Sequence, residues 1–470
     1  MTVNYLEVLS QRDLDQLHKA TLEILSGVGV RFPVPEAQDI FRRHGFQVEG
    51  DMVYFQENQI LEAVDQVPDQ FTMHSRNPAR QVTIGGDSFV LAPGYGAPFL
   101  IDPEHGKRTP TLKDYQDLIR LNQTLPNQDL TGYLLVEPQD LPAGQAHLHM
   151  LNAALTLTDK PFLGSAENRQ AAEDTLAMAE IVYGSPLREP VCLGVISALS
   201  PLAYSPDMIE AVLVYARHNQ PMIFANLVMA GSTGPITLAG MIAQQNAELL
   251  AGITLAQLAQ PGVPLLYGTT STNIDMRTGA LVLGSPELSL VVTAHAQLAR
   301  YYGLPSRAGG ALTDASTLDA QAGYESMFGL LSAANSGIHF VLHAGGIMSS
   351  YLAFSPEKLI MDDELCGMIR CYRKGIEISP ETLDLTGIQA VGPGGHYLNQ
   401  PQTLQRCRTE FWQPDLADRS GLEAWWSGDR ADTAARAGLR AENLLEEYTE
   451  PELDPTIRRQ LADYITGRAG

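Results

Sequence analysis

Pro221-Met-Ile-Phe-Ala-Asn-Leu-Val228 opens at a proline and carries apolar residues on both of its alternating faces. A strand of that kind has to be covered on both sides, the condition of a parallel strand packed between helices and neighbouring strands. A helical stretch at 236–259 follows it, and then a second short apolar run, Pro264-Leu-Leu-Tyr-Gly268. Read outward from there, the unit repeats in both directions. Strand-type runs fall at 88–93, 130–136, 161–165, 190–197, 221–228, 264–268, 305–310 and 339–344. Amphipathic helical stretches follow them near 111–124, 143–157, 168–183, 206–219, 236–259, 286–302, 319–336 and 356–374. Five of the eight runs begin at proline, which a strand tolerates at its first residue. Eight strand–helix units over 88–374 predict an α/β protein built on a (β/α)8 TIM barrel. No glycine-rich dinucleotide fingerprint follows the first strand, which argues against an open doubly wound sheet.

The flanks read differently. Residues 1–87 are expected to form an N-terminal helical cap. Ser10 and Asp13 make a capping box ahead of Leu14, Leu17, Ile24 and Leu25, and Gly27 ends that helix. A second helix follows Pro35 with Ala37, Ile40 and Phe41, and a third carries Ile60, Leu61, Val64 and Val67 before Pro68. An insertion at 98–109 predicts a hairpin turning at Asp102-Pro-Glu-His-Gly106. Residues 375–470 are expected to be a turn-rich and helical C-terminal extension, with acidic helices at 431–447 and 452–466. Those helices suit a homo-oligomer contact or the docking of a partner.

The charge balance sharpens the functional classes. Among 470 residues, 31 Lys and Arg stand against 54 Asp and Glu, a net charge of −23. Such a chain repels nucleic-acid phosphates and anionic lipid headgroups. No apolar run reaches the roughly 18–20 residues of a spanning helix. Met1-Thr-Val-Asn-Tyr5 has neither a basic nor an apolar segment, so a cytoplasmic location is expected. Four cysteines without a close pair predict no disulfide framework.

In a barrel of this type the active site lies at the carboxyl ends of the strands. That rule selects Tyr95 between Gly94 and Gly96, Glu137 and Glu167, Asn226, Thr269 to Asn273, Asp314 with Glu325 in the helix behind it, and His343 followed by Gly345 and Gly346. Phe99, Tyr351 and Phe354 add aromatic rings to the rim. No Walker-type loop, Gly-x-Ser-x-Gly elbow or strand-end lysine appears. His147 and His149 fall on different faces of a helix, so no metal site is predicted. His343 leads the candidates, against the alternative of a core imidazole bonded to a neighbouring strand. Tyr95 and Phe354 also read as rim packing, Asp314 and Glu325 as caps or ion-pair partners, and Asn226 as a group satisfying loop backbone. His396 in Gly392-Pro-Gly-Gly-His396 reads as part of a turn.

Four stretches carry a family resemblance. They are Gly231-Ser-Thr-Gly-Pro-Ile-Thr-Leu-Ala-Gly240 leading to Gln244-Gln-Asn-Ala-Glu-Leu-Leu-Ala-Gly252, then Gly310-Ala-Leu-Thr-Asp-Ala-Ser-Thr-Leu-Asp-Ala-Gln-Ala-Gly-Tyr-Glu325, then His343-Ala-Gly-Gly346, and Gly392-Pro-Gly-Gly-His396. Together they resemble the trimethylamine methyltransferase superfamily, over nearly the whole chain. The resemblance implies a (β/α)8 enzyme that moves a methyl group from an amine to the cobalt of a separate corrinoid protein, with cob(I)alamin supplied by that partner and none bound tightly. The family's trimethylamine enzymes carry pyrrolysine, whereas this chain has only the twenty standard residues. The resemblance is therefore to members that demethylate quaternary amines, with glycine betaine first and carnitine or proline betaine as variants.

A quaternary nitrogen leaves as a neutral tertiary amine and needs no general acid. Its cationic head suits aromatic faces. Tyr95 and Phe354, with Tyr351 and Phe99 in reserve, are the expected cage. His343, Asn226 and the N–H groups of Gly345 and Gly346 are the expected carboxylate donors, and Asp314 and Glu325 are weak catalytic candidates. Two other classes stay open: a metal-free lyase or isomerase with Glu325 and His343 as acid and base, and a non-catalytic betaine-binding module.

Overall fold

A computed structural model describes residues 5–102, 106–142 and 144–469. Seven parallel strands hydrogen-bond in the spatial order Val90–Ala92, Phe340–Leu342, Ser306–Ala308, Leu265–Thr269, Met222–Asn226, Cys192–Ile196 and Phe162–Leu163. The eighth place in the ring, second along the chain, is reduced to a fragment at 129–131. Asp129 N–H donates to Leu91 O (2.8 Å), Thr131 N–H to Pro161 O (2.8 Å) and Leu163 N–H to Thr131 O (3.1 Å), which joins the first strand to the third. The result is the α/β barrel that the eight-unit repeat predicts, with the expected 130–136 strand shortened. All five residues of Met222–Asn226 and of Leu265–Thr269 are buried, as strands covered on both faces require.

Eight helices alternate with these strands: Leu112–Thr124, Ala146–Thr156, Arg169–Tyr183, Pro206–Arg217, Leu238–Ala259, Pro286–Tyr301, Ala320–Ser336 and Pro356–Lys374. Seven start at a Ser, Thr, Asn or Asp whose side chain accepts a first-turn N–H. Such caps satisfy donors the helix itself leaves open and fix where each loop at the barrel mouth ends.

The N-terminal cap is mixed rather than wholly helical. Its helices Gln11–Gly27, Pro35–Arg43 and Glu57–Val64 pack on Leu238–Ala259, which explains why that helix is buried nearly all round. Between them lies an antiparallel sheet of Val30–Arg31, Gln47–Glu49 and Met52–Tyr54, followed by a hairpin of Gln70–Met73 and Val82–Gly85. Strands of two to four residues are too short for alternation to register in a sequence. Just past the hairpin's first strand, His74 N–H donates to Pro190 O at the start of the fourth barrel strand, so this piece covers the amino-terminal end of the barrel.

The C-terminal helices Thr433–Glu447 and Pro455–Ala469 lie where the sequence places them. The first packs on Pro356–Lys374 and Leu112–Thr124, the second on Ala146–Thr156 and Arg169–Tyr183. The insertion forms a hairpin of Phe99–Asp102 and Gly106–Arg108, which joins Ala353–Phe354 and Ile347–Met348 in a small sheet at the rim. Its expected turn at 103–105 lies outside the described residues. The described cysteines are all free: Cys192 and Cys366 are buried, Cys371 half-buried and Cys407 exposed. Among the described residues no helix is long and apolar enough to cross a membrane.

Candidate active site

The eighth strand ends at Leu342, and the next residue, His343, has φ +70°. A non-glycine residue in the left-handed region is uncommon and is held there by its surroundings. His343 N–H donates to Pro93 O (3.3 Å), and its carbonyl accepts from Ala311 N–H (2.9 Å). The chain thereby turns at His343 and directs the imidazole toward the first and seventh strands. Arg307 Nη2 donates to His343 Nδ1 (3.1 Å), and His343 Nε2 lies 3.2 Å from Tyr95 O. A guanidinium only donates, so Nδ1 is the acceptor and Nε2 carries the proton given to Tyr95 O. Burial and the Arg307 cation hold the His343 pKa well below its usual value, which keeps the ring neutral.

Arg307 itself was not among the residues selected from the sequence. It sits in the middle of the seventh strand and is 1% exposed. Its Nη1 donates to Thr269 O (2.7 Å), the last residue of the sixth strand, while Nη2 reaches His343 at the end of the eighth. Its Nε has no partner among the described residues, nor does the buried hydroxyl of Tyr351. Burial lowers the Arg307 pKa to about 10; the other titratable groups acting on it are the phenols of Tyr351 and Tyr95, and no carboxylate is among them. The one available signal in the sequence was a lone charge inside a strand buried on both faces.

Tyr95 is half-buried beside this pair, with Glu167 near enough to raise its phenol further than burial alone. Glu167 accepts from Tyr133 OH (3.0 Å). Tyr351 packs its ring 4.9 Å from the His343 ring. It comes from a rim loop in which Ser349, Ser350 and Tyr351 all have positive φ (49°, 56° and 72°). Ser349 N–H to Ala315 O (3.0 Å) and Ser350 N–H to Thr313 O (3.2 Å) hold that loop in place.

The remaining selected residues are engaged elsewhere. Phe354 is fully buried behind the glycine turn, and a Cβ on Gly346 would come within 2.2 Å of its ring, so it does not face the mouth. Phe99 presents a face already covered by Lys107 Nζ at 3.7 Å. Asn226 donates to Glu248 Oε2 (3.0 Å) and accepts from Ala198 N–H (3.0 Å), with no exposure to solvent. Gly346 N–H donates to Asp362 Oδ2 (2.9 Å), and Gly345 supplies its carbonyl to Gly94 N–H (2.7 Å). For Asn226 and the Gly346 N–H these bonds correct the expected donor set. Asn226 and Gly346 hold the scaffold, and the single N–H of neutral His343 is committed to Tyr95.

Asp314 and Glu325 are likewise engaged. Asp314 accepts from Leu283 N–H, Gly284 N–H and Ser350 Oγ, tying the sixth loop to the eighth. Glu325 accepts from Thr313 Oγ1, Asp314 N–H and Gln321 Nε2. Both clamp loops, and each spends three of its roughly four acceptor sites on doing so. His147 bonds Asp174, which also receives Arg468 and Tyr464 of the last helix. His396 is exposed in the extension. Among the described residues no group of three His, Cys, Asp or Glu is placed to hold a metal ion.

Around this centre, Leu199, Ile236, Met276 and Leu352 stand exposed on the loops after the fourth, fifth, sixth and eighth strands. The mouth thus combines two half-buried tyrosine rings, a neutral histidine, a buried guanidinium and an apolar outer rim.

Comparison with known proteins agrees with this architecture. The family model described as Trimethylamine methyltransferase (MTTB) matches residues 1–470. The chain is 44% identical to glycine betaine methyltransferase of Desulfitobacterium hafniense (strain Y51), covering 98% of this chain and 97% of that one. It is 32% identical to proline betaine:corrinoid methyltransferase of Eubacterium limosum, over 98% and 97%. The solved structure of the Methanosarcina barkeri monomethylamine methyltransferase superposes with a TM-score of 0.56 at 12% identity, covering 95% of this chain and 90% of that one, which speaks to the fold alone.

Proposed function

Since the chain belongs to the trimethylamine methyltransferase family, we propose that it transfers a methyl group from a quaternary amine, glycine betaine before others, to the Co(I) of a separate corrinoid protein. The observation that carries this reading is the composition of the barrel mouth. Tyr95 and Tyr351 offer ring faces beside a neutral His343, while the carboxylates Asp314 and Glu325 each accept three hydrogen bonds from the loops they clamp. Ring faces attract a permanent cation that cannot donate hydrogen bonds, at roughly 0.5–2 kcal/mol per contact. A lyase or isomerase would need a free acid and base, and here both proposed partners are engaged.

The reaction breaks one N–CH3 bond, leaves its electron pair on nitrogen as the neutral amine dimethylglycine, and gives the methyl group to cobalt. Cob(I)alamin, a substrate delivered by the partner, supplies the two electrons of the new bond. No proton moves, so this chain's part is to bind, align and exclude water. The rings hold the ammonium head, His343 keeps Arg307 and Tyr95 in register, and the exposed Leu199, Ile236, Met276 and Leu352 fit a surface that an incoming corrinoid protein covers. Mixing the protein with glycine betaine and a reduced corrinoid protein tests the reading by cobalt absorbance. Methylcobalt and dimethylglycine should form in equal amounts. No methylcobalt from betaine, proline betaine, carnitine or choline would end it.

A further inference from the structure

We propose that Arg307, with the Tyr351 hydroxyl, is the carboxylate clamp by which this site selects amino-acid-type betaines over quaternary amines that lack an anionic end. The proposal rests on the quaternary-amine reading and adds the residue that decides among such amines.

The argument is one of incomplete pairing. A buried charge ordinarily has an opposite charge and a full set of hydrogen bonds. Arg307 is 1% exposed, yet no carboxylate of the described residues pairs with it. Two of its N–H groups reach Thr269 O and His343 Nδ1, and neither acceptor carries a formal charge. Its Nε–H is unpartnered, and so is the neighbouring Tyr351 O–H. Two orphaned donors and an uncompensated cation therefore meet beside the rings, and a carboxylate completes all three. Arginine presents its donors in a planar fork that a carboxylate matches. His343 sits behind this fork: its acceptor nitrogen fixes the guanidinium, and its neutral state leaves the positive charge of Arg307 for the ligand. Tyr351 itself is half-buried and stands on the only run of three consecutive left-handed non-glycine residues among the described residues.

A glycine betaine zwitterion places its carboxylate one methylene from the ammonium. The clamp and the rings then hold opposite ends of one small molecule and fix which methyl groups face the mouth. Choline offers the same head with a hydroxyl, and betaine amide keeps the shape without the charge.

Calorimetric titration of the full-length protein with glycine betaine, betaine amide and choline tests this. Wild type should bind betaine roughly 100-fold more tightly than the amide, the scale on which loss of a buried charged partner acts. Arg307→Gln should bring the two ligands to within about threefold by weakening betaine alone. Arg307→Lys keeps the charge but not the fork, and should retain only part of the preference. Tyr351→Phe removes one hydroxyl and should weaken betaine about five- to tenfold with the amide unchanged. Should Arg307→Gln fail to fold by thermal melt, the wild-type ratio and Tyr351→Phe still decide. Equal wild-type binding of betaine and amide, or an undiminished preference in a folded Arg307→Gln, overturns the clamp. The methyl-transfer reading fails separately: wild type that prefers betaine but yields no methylcobalt leaves the clamp standing, whereas methylation from betaine and choline with equal KM removes the clamp and keeps the transfer.

Discussion

Two buried cations lie near the end of the eighth strand, and the protein treats them in opposite ways. Lys358, in the helix behind the strand, is 1% exposed and bonds both oxygens of Asp362, itself equally buried; Asp362 in turn accepts Gly346 N–H. Arg307, inside the barrel, is buried to the same degree but finds a carbonyl, a neutral imidazole and, among the described residues, no partner at Nε. The first cation is complete within the chain and holds the glycine turn. The second is complete only when something anionic joins it. A charge that the fold does not neutralise is where function is to be sought, because stability alone would not leave it so.

The largest effect should come from breaking the complete pair. Asp362→Ala leaves the Lys358 ammonium buried alone and should cost about 3–5 kcal/mol in chemical denaturation. Replacing both at once, Lys358→Met with Asp362→Leu, should recover most of that loss, since an apolar pair of similar size removes the desolvation cost together with the attraction. A double variant as unstable as the single would show that the pair is held for the Gly346 bond instead.

A smaller effect separates a third buried group that is satisfied without charge. His295 stacks on Tyr267 at 4.3 Å, bonds Tyr267 O and Gln245 and is pushed down to about 3 by burial. Its unfolded pKa is about 6.5, so between about 6.5 and 3 the unfolded chain takes up a proton that the folded one refuses. The stability contributed by neutral His295 is therefore full above 6.5 and lost as pH falls. Urea melts of wild type and His295→Asn at pH 7, 6 and 5 should show the gap between them closing by up to about 1.4 kcal/mol per pH unit. A gap that stays constant would mean that the ring takes up its proton as readily when folded as when unfolded.

The barrel was open to reading from the sequence because its signal is repeated: eight apolar runs, five opened by proline, each followed by a helix, seven of them with a capping residue. The small sheet at 30–54 was not, because strands of two or three residues carry no period. The rim aromatics Tyr95 and Tyr351 and the neutral His343 were selected by the strand-end rule alone. Phe354, Asn226 and Gly346 satisfied the same rule, yet their direction depends on packing behind the turn and on Glu248 and Asp362, contacts from distant segments. Arg307 escaped because the rule looks at strand ends. A long side chain from mid-strand reaches the mouth as readily as a short one at the tip.

The two ends of the proposed ligand should respond independently, and that sharpens the contrast between ring and cation. Tyr95→Leu removes a ring face and should weaken betaine and betaine amide alike by about 0.5–2 kcal/mol, read by calorimetry. Tyr95→Phe keeps the face and should leave both within about twofold. A Tyr95→Leu effect confined to betaine would place this residue at the anionic end instead.

The smallest expected change is the most direct test of the opening contrast. If Arg307 is incomplete in the free protein, removing it relieves an uncompensated buried charge while it gives up two hydrogen bonds. These terms oppose each other: the bonds contribute about 1 kcal/mol each, and the desolvation of an unpaired ion is of comparable or greater size. Arg307→Met should therefore shift the stability of the ligand-free protein by less than about 1 kcal/mol, far below Asp362→Ala, although both remove one charge from an equally buried site. Excess glycine betaine should raise the melting temperature of wild type and fail to raise that of the variant, because stabilisation by a ligand follows its affinity for the folded state. Destabilisation of the ligand-free Arg307→Met by as much as Asp362→Ala would show that Arg307 is already completed from within the chain, and the distinction between the two cations would vanish.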